Sequence, residues 1–161
     1  MFARLPAPLH RLALKLAHAM RLRVWGWLRL EVRGTNALVF DREGRVLLVR
    51  HSYHLSTQWM FPGGGLARGE DPMQTATREV REETGCRLQD AVWFDTVLRQ
   101  FPSGWTNRIE LIAGTTDDMP RVDGRELEEA AFFALNALPD GANAATRDSI
   151  ARWQGWRASK G

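Results

Sequence analysis

Glu79, Glu82 and Glu83 stand at i, i+3 and i+4 in a helix-favouring stretch, so their carboxylates converge on one side of it. Like charges at that spacing repel, and no lysine follows four residues on to relieve them. Such a cluster calls for a cation. Carboxylate oxygens are hard ligands suited to Mg²⁺ or Mn²⁺, which keep several waters and bridge to substrate phosphates. Glu82 and Glu83 alone would read as a solvated acidic face. The surrounding pattern weighs against that.

The cluster needs a rigid mount. Gly63, Gly64 and Gly65 allow backbone approaches that a Cβ would forbid. Asp71 has the character of an N-cap, Pro72 suits the first helical position, and Gln74 completes a capping-box spacing. Gly85 suits the residue just past the end, so the spacing predicts a helix over 72–84. Met73, Ala76, Val80 and Thr84 share the stripe expected to pack inward.

Taken together, Gly64, Glu70, Arg78-Glu79-Val80, Glu82-Glu83 and Gly85-Cys86 keep the types and spacing of a complete Nudix box. The chain thus resembles the Nudix hydrolases, a strong signal by motif standards. The resemblance implies an α+β fold, an α/β/α sandwich with a mixed sheet, and hydrolysis of a nucleoside diphosphate linked to another moiety. It implies Glu82 and Glu83 as principal metal ligands and the Gly64 carbonyl as a further one. Glu79 resembles a residue that is a ligand in some members and the general base in others. Arg78 and Glu70 resemble partners that orient the glutamates, and Trp59 one that supports the metal loop. Relatives also place an acidic residue before a late strand that reaches back to the metals. Glu126 has that spacing, with Glu128 and Glu129 as rivals and simple exposure of all three as the alternative.

At 161 residues the chain is one domain's length. We divide it into a basic extension, residues 1–30, and a Nudix domain, 31–161. Residues 1–34 carry seven Arg or Lys against Glu31 alone, and the remainder fifteen against eighteen acids. A mildly acidic body does not suit a broad nucleic-acid surface, so no nucleic-acid partner is expected. The single cysteine, Cys86, makes no intrachain disulfide, which fits a reducing cytoplasm and argues against zinc. Leu5, Leu9, Leu12, Leu16 and Met20 recur at helical spacing opposite Arg11, Lys15 and His18, giving an amphipathic helix over about 7–22. Packing on its own domain or on a second subunit, as a homodimer contact, is the first expectation for it. Peripheral contact with an anionic membrane is the second.

Runs 36–40 and 45–50 predict a hairpin turned at 41–44, and 93–101 with 108–113 a second pair. Residues 51–58 read as an irregular polar stretch in which His51 and His54 either contact phosphate or, as is commoner for lone loop histidines, are simply solvated. A final helix over 144–156 carries Ile150, Trp153 and Trp156 as core cover. Pro102 resembles a marker residue of ADP-ribose pyrophosphatases, and Trp105 beside it suits stacking on a base or ribose. With Arg50, these two are the candidate substrate contacts. The loop 102–107 holds no cation for a third phosphate, which favours ADP-ribose or a nucleotide sugar over a nucleoside triphosphate. A pyrophosphatase of triphosphates and a non-catalytic Nudix-fold binding module are the alternatives.

Overall fold

Ten residues, Glu31–Phe40, form strand β1, and their alternation divides the protein into two layers. In the computed structural model, which describes residues 31–52, 58–102, 104–122 and 127–161, Ala37 and Val39 point to one side of the sheet, and Leu38 and Phe40 to the other. The remaining elements are β2 (Val46–His51), β3 (Gly63–Gly65), α1 (Pro72–Thr84), β4 (Gln89–Gln100), β5 (Thr106–Thr115), β6 (Leu127–Phe133) and α2 (Ala144–Ala158). The sheet runs β4-β5-β1-β2-β6, with β3 paired to β1. It is mixed: β1 lies parallel to β5 over its whole length and antiparallel to β2 and β3.

Among the described residues, one helix covers each face. Ala76 and Val80 of α1 pack on Ala37, Val39, Leu47 and Ile112. Ile150 of α2 packs on Leu38, Leu48, Leu111 and Phe94, with Trp153 and Trp156 at the margin. Trp153 stacks on Phe40 at 5.6 Å and meets Phe94 edge-on at 5.1 Å, so the late tryptophans do cover the core. Burying one Leu or Val contributes about 1.5–3 kcal/mol. Leu47 and Leu48, adjacent in sequence and both fully buried, therefore hold opposite layers onto one strand. The expected α/β/α sandwich is the observed one.

The details depart from the expectation in three places. Met73 is 37% exposed, and Thr75 is buried in its stead. Ala76, Val80 and Thr84 face inward as expected, whereas Met73, in the first turn, is left partly exposed. The glycines read as a turn form a strand, Gly63–Gly65, in register with Gly34–Asn36. His51 is not a solvated loop residue: it ends β2 and is buried. Residues 1–30, with the expected amphipathic helix, and Glu126 and His54 lie outside the described residues. Among those described, no helix is long and apolar enough to cross a membrane.

Candidate active site

The helix carrying the acidic cluster is fixed at both ends by its own sequence. Asp71 Oδ1 accepts from the N–H groups of Met73 and Gln74, both at 2.9 Å, and Pro72 occupies N1. At the other end Gly85 adopts φ 73° and its N–H reaches Arg81 O at 2.9 Å. Such caps contribute about 1 kcal/mol each and set where the helix starts and stops.

Between the caps, the carboxylates meet the glycine strand. Glu79 lies directly over Gly64, and a methyl group there would run into its carboxylate. A Cβ on Gly63 would strike the Thr35 carbonyl. Glu83 Oε2 accepts from the Gly63 N–H at 3.1 Å, and its Oε1 lies 3.7 Å from His51 Nε2. Glu82 is the exposed member of the three. Arg78 ties the group together: Nη1 reaches Glu79 Oε1 at 2.7 Å and Glu82 Oε2 at 3.3 Å, while Nη2 reaches Glu70 Oε1 at 3.3 Å. Glu70 is itself held by the Ala67 N–H at 3.0 Å. Arg78 thus touches Glu79, Glu82 and Glu70 at once.

Burial pushes the Glu79 carboxyl above its ordinary range; Arg78 pulls it partly back, and the charges of Glu82 and Glu70 add to the rise. Glu70 is held below its range, first by the Ala67 N–H and further by Arg78. No three acidic, His or Cys side chains among the described residues close on one point as a ready cage. The donor set still fits a hard divalent ion. It offers carboxylate oxygens and a glycine carbonyl, and Mg²⁺ takes one or two carboxylates and fills its octahedron with water and phosphate. Glu82, Glu83 and the Gly64 carbonyl are the groups that would hold it, with Glu79 beside them as a further ligand or as a base.

On the α2 side of the glycine strand lies a cleft of about 230 Å³. Gly34 and Gly63–Gly65 give it a floor without side chains, and Val32, Asn36, Asn107 and Ile109 line its walls. A larger open concavity runs over the outer turns of α1 and touches the cluster only through Arg78 and Glu82. Trp105 sits two residues from Asn107, in the β4–β5 connection, buried and stacked on Phe101 at 4.0 Å; Pro102 is exposed at its tip. One indole face is therefore already covered. Arg50 projects on the cleft's side of the sheet, paired with Glu129 at 2.8 Å and Glu128 at 3.7 Å, beside the Trp59 ring. The rivals to Glu126 are thus engaged with Arg50.

A polar row was not legible in advance. Gly64, Thr35, Glu110 and Thr96 lie side by side across β3, β1, β5 and β4. Glu110 is fully buried; Thr96 Oγ1 donates to it at 2.6 Å and Arg108 Nε at 2.8 Å, with Arg33 at 3.5 Å. The signal available was Arg108-Ile109-Glu110, an acid flanked by apolar residues two positions from a cation.

The chain matches the NUDIX domain family over residues 30–154 and belongs to it. An RNA pyrophosphohydrolase of Bartonella bacilliformis is 44% identical over 74 residues, 38% of this chain and 44% of the relative. Another from Bartonella quintana is 37% identical over 137 residues, 66% of this chain and 78% of the relative. A solved MutT NUDIX hydrolase from Burkholderia pseudomallei superimposes with TM-score 0.68 at 26% identity, covering 76% of this chain and 97% of that one. The chain spans less than half the length of the Bartonella bacilliformis relative.

Proposed function

We propose that this chain is a Mg²⁺-dependent pyrophosphohydrolase that cleaves the phosphoanhydride of a nucleoside diphosphate linked to another moiety, with ADP-ribose or a nucleotide sugar favoured. The observation that carries the reading is the meeting of Glu79 and Glu83 with the Gly63-Gly64 backbone, under an arginine that orders Glu79 and Glu82. When bound, the metal would polarise phosphoryl oxygen and make water more acidic. The protein's part is placement. Arg78 holds Glu79 by Oε1, and burial raises the basicity of the carboxylate, so Oε2 takes the proton from the attacking water. Catalysis then rests on positioning and electrostatics, with no protein nucleophile.

The cleft receives the organic part of the substrate. Its flat glycine floor suits a ring, and the Asn36 and Asn107 amides suit its polar edge. Among its described lining side chains only Arg33 is cationic, which supports a neutral moiety over a third phosphate. A second reading, the phosphorylated 5′ end of an RNA, draws its support from the two Bartonella relatives.

The test is hydrolysis with Mg²⁺ of ADP-ribose, nucleotide sugars, nucleoside triphosphates and a 5′-triphosphorylated RNA, with products identified. ADP-ribose or a nucleotide sugar should give the highest kcat/KM, and Trp105→Ala should lower it by loosening the wall beside Asn107. Triphosphates or RNA winning by about tenfold, with Trp105→Ala harmless, would reassign the substrate; that margin is about 1.4 kcal/mol in the transition state.

A further inference from the structure

Between Arg50 and His51 the pairing of β2 with β6 slips by one residue: Arg50 faces Glu129, His51 faces Leu127, and Glu128 is the extra residue. A bulge of this kind re-aims side chains at the end of a strand and is frequent beside active sites. The alternation of β2 sends the two neighbours to opposite faces. Arg50 goes to the side of Trp59 and Glu129, while His51 goes to the opposite face, towards α1. There its imidazole is 6% exposed, and Nε2 lies 3.7 Å from Glu83 Oε1. The other oxygen of Glu83 is held by the Gly63 N–H. One oxygen of the carboxylate is thus held by the glycine strand, and the other lies close to the imidazole at the end of β2.

We propose that His51 is a positioning residue that fixes the orientation of Glu83 for metal binding; this rests on reading the acidic cluster as a metal site. A glutamate side chain has three rotatable bonds, and a ligand that must be ordered on binding costs affinity. Contact from His51 orders it beforehand, as outer-shell partners of metal ligands do elsewhere, where their loss costs about 10–100-fold in affinity or activity. Alternation from Leu47 through Val49 puts His51 on the face of β2 that α1 covers. Burial keeps water from competing for Glu83 on that side.

The test is Mn²⁺ binding to the full chain without substrate, followed by electron paramagnetic resonance of free Mn²⁺, alongside thermal unfolding. His51→Gln keeps an N–H at about the reach of Nε2, whereas the amide of His51→Asn stops short of Glu83. Metal affinity should stay within about threefold of parental in the Gln variant and fall about tenfold in the Asn variant, with both melting cooperatively. In a Glu83→Gln background the Asn change should add less than about twofold, since it acts through Glu83. If the Asn variant does not fold, His51→Leu, which fills the space without a donor, replaces it. Parental affinity in the Asn or Leu variant, or an equal loss in both backgrounds, overturns the proposal. Failure of Glu82→Gln and Glu83→Gln to weaken Mn²⁺ would instead remove the metal site itself.

Discussion

Glu82 is the exposed carboxylate of the cluster and makes its described bond to Arg78 alone, so neutralising it leaves packing untouched. Glu82→Gln should lower kcat at least about 10²-fold with melting temperature unchanged, because a charged donor leaves a preorganised site. Near-parental turnover in both Glu82→Gln and Glu83→Gln would return the cluster to a plain solvated face. Gly64 makes a sharper test. A methyl there collides with the Glu79 carboxylate, so Gly64→Ala should displace the proposed base by about 1 Å and cost on the order of 10² in kcat. Equal activity in Gly64→Ala and parent would show that Glu79 need not sit where it does. Chelation should abolish turnover, and activity that persists in excess chelator would end the metal reading.

At the scale of elements, β5 carries a buried charge in the middle of the sheet. Burial pushes Glu110 up, but the bonds from Thr96 and Arg108 and the arginine charges outweigh it, and its carboxyl lies below the ordinary range. A depressed carboxylate contributes stability above its unfolded value of about 4.3, and that stability is lost as pH falls through the folded value. Parental melting temperature should therefore drop as pH is lowered from about 5 towards 3, and Glu110→Gln should flatten that drop. At pH 7 the variant should lose about 2–3 kcal/mol, less than for a fully enclosed pair because both arginines keep about a third of their surface in water. An unchanged acid limb in the variant would place the responsible group elsewhere. The contrast between Glu110 and Glu79 also explains what sequence reveals. Caps, box and helical faces are local, so Asp71, Gly85 and the glutamates were legible from spacing. Glu110, His51 and the glycine strand depend on which strands lie side by side. The ten-residue parallel pairing of β1 with β5 joins residues some seventy-five positions apart, and no local pattern announces it. Met73 shows the same limit: hydrophobicity alone put it inside, yet in the first turn of the helix it stays partly exposed while Thr75 is buried.

For the whole molecule, the basic segment 1–30 precedes β1 in the sequence and carries the chain's positive excess. Its amphipathic sequence predicts a subunit contact. The full chain should sediment as a dimer and the chain lacking 1–30 as a monomer, neither binding anionic vesicles at physiological salt. Vesicle binding that vanishes on truncation and at high salt would make the segment a membrane-surface element instead.

The double pairing of β1 has a consequence for how such an enzyme changes over time. The glycine strand hangs from Gly34–Asn36, and β1 is bonded to β5 along its full length, so backbone alone ties the Gly64 carbonyl to the cleft floor. The side chains that would judge the substrate, Val32, Asn36, Asn107 and Ile109, stand on the face turned away from the glutamates. Substitutions at these four positions can therefore drift while the metal chemistry stays constant. One lineage can explore many substrates at little risk to its catalytic machinery, which makes recognition the evolvable half of the protein and β1 the seam along which the two halves part.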